Sequence, residues 1–325
     1  MSTVRYGSYT CELKENESVL EGLLRQDVPV AYACKAGSCG SCLLRAVEGD
    51  VPPRAQAGLK DSWKTRGYFL ACVCVPEGDI SAEAVGNDAR IAATVNALEA
   101  ISSDVLRVRL ACDSPLDFRP GQYITLLRDN GLARSYSIAN LPEDGDIELH
   151  VRRIANGRMS GWLHDVASPG TRVQIQGPSG ECFYVPGRAD QPMLLIGTGT
   201  GLAPLYGIVR DALRQGHRGP IDLIHGAVRP SGLYLRDELT ALAEAHPNFS
   251  YTASVMQADS PENFPGKFEV GPLDGLLDAR FPELDGWRGF VCGDPTLVQR
   301  LKKKMFLSGM ATRDIYSDAF LPSAA

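Results

Sequence analysis

The chain has 325 residues, of which 44% are hydrophobic and 22% charged, and its formal net charge is −6. That length suits two or three domains of ordinary globular composition, and an acidic balance with no basic run argues against nucleic-acid binding. No stretch approaches the ~18 apolar residues of a membrane span. The opening MSTVRYGSYT lacks a signal-peptide pattern, so its nine cysteines suit a reducing cytoplasm.

The first block, to about residue 85, reads as strand, strand, short helix, cysteine-rich loop, strand, and a last strand carrying Cys72. Tyr9 to Leu13 alternates as an edge strand does, and Ser18 with Glu21 forms a capping box for a helix through Arg25. Cys34, Cys39 and Cys42 follow in C-x4-C-x2-C spacing, and 29 residues separate Cys42 from Cys72. That is the ligand spacing of a plant-type 2Fe–2S cluster, in which each iron takes two thiolates beside two bridging sulfides. Ala36, Gly37, Ser38, Gly40 and Ser41 are small enough for backbone N–H groups to reach the sulfurs. A zinc site and disulfides are the alternatives. On a strand Cys72 and Cys74 point the same way, so direction does not choose between them; the gap favours Cys72. Cys11, Cys112 and Cys182 read as small buried hydrophobes. The block ends in EGDISAEAVGNDAR, read as a linker broken at Gly86-Asn87-Asp88.

The second block, about 89 to 188, has six short β-rich runs between turn signals, which suggests a closed or nearly closed antiparallel barrel with one helix, Met159 to Val166. Its run Arg134-Ser135-Tyr136-Ser137 places Arg134 and Tyr136 on one face and the serines on the other. An arginine can fork onto a phosphate and a tyrosine can cover an aromatic ring. The third block, about 190 to 325, alternates strands and helices as a parallel sheet requires: strands at Met193–Ile196, IDLIHGAV, FSYTASVM and GFVCGD, with helices between and after them. Gly197-Thr198-Gly199-Thr200-Gly201, between a strand and a helix, suits a pyrophosphate.

RSYS, HVRRIANGRMSGWL, GPSG, GTGTGLAP and CGDP together resemble the ferredoxin–NADP reductase superfamily. With the cysteine block in front, the whole chain resembles the single-chain reductases of bacterial multicomponent oxygenases, as in benzoate- and naphthalene-type dioxygenases. The resemblance implies a multidomain α+β and α/β protein: an N-terminal β-grasp 2Fe–2S ferredoxin domain over 1–85, an antiparallel β-barrel FAD domain over 89–188 and a C-terminal parallel-sheet NAD(P)H domain over 190–325.

It further implies the roles of individual residues. Arg134 binds flavin pyrophosphate, Tyr136 packs on the isoalloxazine and Ser137 bonds near the atom that receives hydride. His150, Val151 and Arg152 line the ribityl or adenosine side. Gly157, Met159 and Ser160 open a helix over the pyrophosphate. Gly197, Thr198, Gly199 and Thr200 take the nicotinamide cofactor's pyrophosphate, with Cys292 and Gly293 beside the nicotinamide. Asp318 and Phe320 reach the flavin from the chain's end. Each has a plainer alternative: His150 as strand packing, Cys292 as core, Arg152 and Arg153 as a solvated face. Asp294 stands where the family often has proline.

The implied activity takes hydride from NADH onto FAD and passes electrons singly through the cluster to a terminal oxygenase or intermediate ferredoxin, met transiently near the cluster loop by a cytoplasmic monomer. The strand ending at Arg229 has no acid for a ribose diol, and Arg229 could pair with a 2′-phosphate, so NADPH is the competing donor. A diiron hydroxylase or deoxysugar dehydrase as acceptor, and a redox sensor, are the rival readings.

Overall fold

A computed structural model describes residues 2–59, 61–85, 90–257 and 268–320; the break read at Gly86-Asn87-Asp88 lies outside them. The first sheet contains β1 (Thr3–Tyr6), β2 (Tyr9–Glu12), β3 (Leu43–Glu48), β4 (Tyr68–Leu70) and β5 (Ile80–Ala84), in the order β2-β1-β5-β3-β4. Helix α1 (Val19–Arg25) packs on it, with Val19, Leu20 and Leu23 at 0% exposure. Its start follows from chemistry visible in the sequence: the Ser18 hydroxyl accepts the Glu21 N–H at 3.3 Å, and the Glu21 carboxylate accepts the Ser18 N–H at 2.9 Å. A short helix, α2 (Asp61–Lys64), precedes β4.

Two details differ from the sequence reading. Strand β4 stops at Leu70, and Cys72 sits on a 3₁₀ turn, Ala71–Val73, that separates it from Cys74. The segment read as linker contains β5, which lies between β1 and β3. Its polar composition hides a one-sided alternation, with Ile80 and Ala82 buried.

The second sheet takes β6 (Ile91–Ala100), β7 (Val105–Cys112), β8 (Tyr123–Leu127), β9 (Ala133–Ser137), β10 (Ile147–Arg152) and β11 (Arg172–Ser179) in the order β10-β7-β6-β11-β8-β9. A bridge between Ile138 and Leu149 joins its two ends, so the antiparallel sheet closes into a barrel. Helix α3 (Arg158–Asp165) follows β10.

The third sheet is parallel throughout: β12 (Met193–Thr198), β13 (Ile221–Ala227), β14 (Phe249–Val255), β15 (Glu269–Val270), β16 (Arg288–Gly293) and β17 (Ile315–Ala319), ordered β15-β14-β13-β12-β16-β17. Helices α4 (Leu202–Arg214), α5 (Arg236–Ala245), α6 (Leu273–Arg280) and α7 (Pro295–Leu307) connect them. The chain leaves β12 toward β13 on one side and returns to β16 on the other. The carboxyl ends of β12 and β16 therefore flank the switch point, where such sheets bind ligands. Asp294 caps α7, accepting the Leu297 N–H at 3.0 Å, with Pro295 at the first helical position. Strand β17, which the sequence reading left unassigned, brings Asp318 and Phe320 to that point.

Candidate functional site: one cleft shared by three sheets

A cleft of about 1940 Å³ is walled by all three units. Tyr32, Cys34 and Cys39 stand at one end, Arg134, Tyr136 and Ser137 on the barrel wall, and Gly199, Gly293 and Asp318 on the parallel-sheet wall. A smaller polar hollow, lined by Arg188, Asp190, Arg218 and Asp314, contains surface ion pairs and none of these groups.

At the first end the loop winds with its amides turned inward, which requires left-handed backbone at Lys35, Gly37 and Gly40 (φ +52°, +73° and +72°). The Ala36 and Cys39 N–H groups donate to Cys34 Sγ at 3.3 and 3.4 Å, and Cys34 N–H to Cys39 Sγ at 3.4 Å. The Ser38 hydroxyl donates to Cys34 Sγ at 3.4 Å, and Cys72 N–H to Cys42 Sγ at 3.4 Å. The sulfurs act on one another as two pairs, Cys34 with Cys39 and Cys42 with Cys72. Within each pair one thiol is lowered and the other raised, and sulfur–sulfur bonding is the main cause; Cys34 falls to about 4.

Two pairs of cysteines ringed by N–H donors fit a cluster with two thiolates on each iron. Cys74 lies apart at 0% exposure in the hydrophobic core, and burial raises its thiol to about 12. The 3₁₀ turn, not strand alternation, separates its direction from that of Cys72.

On the barrel wall Arg134 is half-buried, donates to the Ala133 carbonyl at 2.6 Å, and has its pKa lowered by desolvation. Arg152 and Arg158 open on the same cleft. Arg134 and Arg158 act on one another electrostatically, and with the N-terminus of α3, which has no side-chain cap, they fit a pyrophosphate; the Arg152 guanidinium stands against Gly199 of the glycine loop. Arg158 stands within the HVRRIANGRMSG run, where nothing local distinguishes it from its arginine neighbours. Arg153, by contrast, pairs with Asp165 on the surface. Ser160 ties its own loop, accepting the Ile154 N–H at 3.1 Å, so its hydroxyl is engaged inside the protein. Val151 departs from expectation: its side chain is at 0% exposure in the barrel core, because alternation on β10 turns it away from His150 and Arg152. Met159 is 1% exposed, belongs to the barrel core and lines the cleft.

The two halves of the cleft meet through Ser137, whose hydroxyl donates to Asp318 Oδ2 at 3.1 Å; burial raises the Asp318 carboxyl. Phe320 lines the cleft beside it, its N–H bonded to the Gly293 carbonyl at 2.8 Å. On the nucleotide side Thr198, Gly199 and Thr200 face the cleft, whereas Gly197 is buried within β12. A side chain at Gly201 would collide with the Cys292 carbonyl, so the glycine loop lies directly on β16. Thr198 Oγ1 accepts the Asp294 N–H at 3.2 Å, joining the two loops. Arg229 is exposed at the far end of the cleft.

Cys292 does not stand where the sequence placed it. Its side chain is 1% exposed in the core, Sγ lies 3.6 Å from Cys182 Sγ, and desolvation raises its thiol well above the usual range. Gly293 and Asp294 are the residues of this turn that face the cleft. The cause is strand register: Cys292 falls at an inward position of a strand buried along its whole length.

His150 is more than packing. It is 4% exposed, with Nε2 3.0 Å from Glu148 Oε1 and Nδ1 3.1 Å from the Tyr234 hydroxyl. A carboxylate only accepts, so Nε2 carries the proton and the Tyr234 hydroxyl donates to Nδ1. Burial lowers the His150 pKa, which keeps the ring neutral. The Tyr234 ring meets that of His225 edge-on, and His225 Nε2 donates to the Gly199 carbonyl at 3.2 Å. A buried chain of contacts thus runs from a barrel strand to the glycine loop, hydrogen bonds at its two ends and an edge-on ring contact between Tyr234 and His225. Its members sit far apart in sequence, and no local pattern marks them.

A cysteine loop, a closed barrel and a switch-point crevice that share one cleft define an iron–sulfur flavoprotein. Family models match in that order: a 2Fe-2S iron-sulfur cluster binding domain at residues 4–77, an oxidoreductase FAD-binding domain at 92–184 and an oxidoreductase NAD-binding domain at 195–303. The chain is 34% identical over 315 residues, 94% of each protein, to the ferredoxin–NAD(P)+ reductase component of the naphthalene 1,2-dioxygenase system of Pseudomonas putida. It is 33% identical to the reductase subunit of an aromatic O-demethylase of Amycolatopsis sp., over 99% of each chain. Among solved structures it superposes on the Amycolatopsis cytochrome P450 reductase GcoB with a TM-score of 0.71 at 31% identity, covering 100% of both chains. The ferredoxin reductase of carbazole 1,9a-dioxygenase gives 0.68 at 26%, covering 98% of both. The chain belongs to the family of three-part reductase components of oxygenase systems. It is an NAD(P)H-dependent oxidoreductase that uses FAD and a 2Fe–2S cluster.

Proposed function

We propose that this chain draws electrons from NADH and delivers them to an aromatic-ring Rieske oxygenase, directly or through an intermediate ferredoxin, as a cytoplasmic monomer that meets its acceptor transiently. The observation that carries the reading is the continuity of the cleft from Thr198–Thr200 to Cys34 and Cys39. FAD, when bound, would accept one hydride, two electrons together, and release electrons singly, which joins a two-electron donor to a one-electron cluster. The protein's part is placement. Arg134, Arg152 and Arg158 offer positive charge to a pyrophosphate, and Tyr136 offers a ring face. Ser137, oriented by Asp318, offers a hydrogen bond at the middle of the cleft. Cys34, Cys39, Cys42 and Cys72 hold the cluster.

Three functional units, 1–85, 89–188 and 190–325, follow from the same reading. NADH is the proposed donor; Arg229 at the nucleotide end is the residue that would favour NADPH, and a tenfold or greater kcat/KM preference for NADPH would overturn the assignment. Two relatives act in naphthalene dioxygenation and aromatic O-demethylation. The decisive test is NADH-driven turnover of an oxygenase recovered with the chain from its native cells. Failure to reduce any one-electron acceptor would remove the reading. In the Cys39→Ser variant cytochrome c reduction is expected to disappear while FAD-dependent ferricyanide reduction remains; loss of both in a folded, FAD-loaded protein would reverse the proposed electron order.

A further inference from the structure

The cysteine loop is held from outside as well as from within. Ser38, Cys39 and Gly40 are consecutive, and each carbonyl accepts one hydrogen bond from a barrel side chain. Tyr123 Oη donates to Ser38 at 2.7 Å, Thr125 Oγ1 to Cys39 at 3.0 Å, and Gln176 Nε2 to Gly40 at 2.8 Å. Tyr123 and Thr125 lie two apart on β8 and so share a face, and Gln176 stands directly opposite Thr125 on β11. The three donors form one patch on a closed sheet, which fixes their spacing to match three successive peptide carbonyls.

One of these contacts continues to a sulfur. The Ser38–Cys39 peptide accepts from Tyr123 through its carbonyl and donates through its N–H to Cys34 Sγ at 3.4 Å. Hydrogen bonds in such a chain polarise one another. Donors aimed at cluster sulfurs are among the groups that set a cluster's potential.

We propose that Tyr123, Thr125 and Gln176 are positioning residues that dock the cluster loop on the barrel for internal electron transfer, and that Tyr123 also tunes the cluster through the Cys39 amide. The inference rests on Cys34, Cys39, Cys42 and Cys72 being the cluster ligands. Each internal transfer moves one electron from reduced flavin to oxidised cluster, the pair having arrived as hydride from NADH.

The test uses Tyr123→Phe and the double variant Thr125→Val/Gln176→Leu, each as the holoprotein with iron, sulfide and flavin content measured. Three properties are read: the cluster midpoint potential by EPR-monitored titration, amide exchange over residues 34–42, and the rate of cluster reduction after mixing with NADH. Tyr123→Phe is expected to shift the midpoint to more negative values and to slow cluster reduction. The double variant is expected to leave the midpoint in place, to raise amide exchange about tenfold and to slow cluster reduction by a similar factor, the scale of two lost hydrogen bonds. Variants that match the parent in all three properties would overturn the docking role. A parent protein that binds FAD but no cluster would overturn it differently, by removing the ligand assignment beneath it.

Discussion

The barrel is joined to its two neighbours in different ways. Toward the parallel sheet it shares a core: Val105, Cys182 and Tyr184 pack in one cluster with Leu195, Leu205, Phe290 and Cys292, and the buried His150–Tyr234 bond crosses the same boundary. Toward the cysteine domain the structure shows polar side-chain contacts to a loop, while that domain's core cluster is built only from residues between Val4 and Val85. Shared apolar burial makes two sheets fold as one body; a few side-chain hydrogen bonds to one loop make a dock. The difference fits the chemistry. Hydride transfer demands a fixed crevice, whereas the cluster serves an internal donor and an external acceptor.

Removing the cysteine domain tests this contrast most severely. A chain starting at residue 90 is expected to fold, bind FAD and reduce ferricyanide with NADH, and to lose cytochrome c reduction completely. A truncated chain that aggregates or binds no flavin would show that the dock is a shared core after all. Next in size is Tyr184→Ala. Tyr184 is 2% exposed in the shared core and its hydroxyl lies 3.3 Å from His217 Nδ1. Truncating a buried aromatic costs ~3–5 kcal/mol. Flavin fluorescence and nucleotide-domain circular dichroism should then melt together at a lower temperature, while the loss of cluster absorbance stays where it is. Separate shifts of the first two signals would break the single-body reading.

The sequence was most informative where chemistry is local. Cysteine spacing, the Ser18–Glu21 box, the glycine loop and the strand–helix alternation are fixed by neighbours a few residues apart, and the structure agrees with them. What was missed depends on pairings distant along the chain. Strand β5 is polar yet central because β1 and β3 close on it, and β17 becomes a strand because β16 is there to pair with. Cys292 was read as a cleft residue from its motif, but strand register turned it inward. Tyr123, Thr125 and Gln176 were invisible as a group because their meaning lies in three carbonyls about 85 to 136 residues away.

A smaller effect is expected at the polar link between barrel and parallel sheet. Tyr234→Phe removes the donor to His150 Nδ1 and leaves a buried imidazole nitrogen unsatisfied, at a cost of ~1–3 kcal/mol. If the link also sets the Gly199 loop through His225, the KM for NADH should rise while the cluster midpoint stays constant. An unchanged KM with lower stability would leave this chain of contacts purely structural.

The smallest effect concerns Asp318, where β17 meets the barrel. Burial raises its carboxyl and the Ser137 hydroxyl only partly offsets this. A carboxyl whose folded pKa lies above its unfolded value of 3.8 binds its proton more tightly when folded. Its ionised form therefore destabilises the fold above the raised pKa, and that cost fades as pH falls through it toward the unfolded value. Asp318→Asn keeps an acceptor for Ser137 and removes the charge. At pH 7 the variant should melt higher than the parent by about 2–4 °C, the scale of ~1 kcal/mol in a body of this size. The advantage should shrink progressively on acidification, read by flavin fluorescence so that only the fused barrel and sheet are followed. A gain independent of pH would mean that the carboxylate is solvated in place, and that the crevice between barrel and sheet is as open as the neighbouring dock, where Tyr123 pairs with Ser137 across β8 and β9.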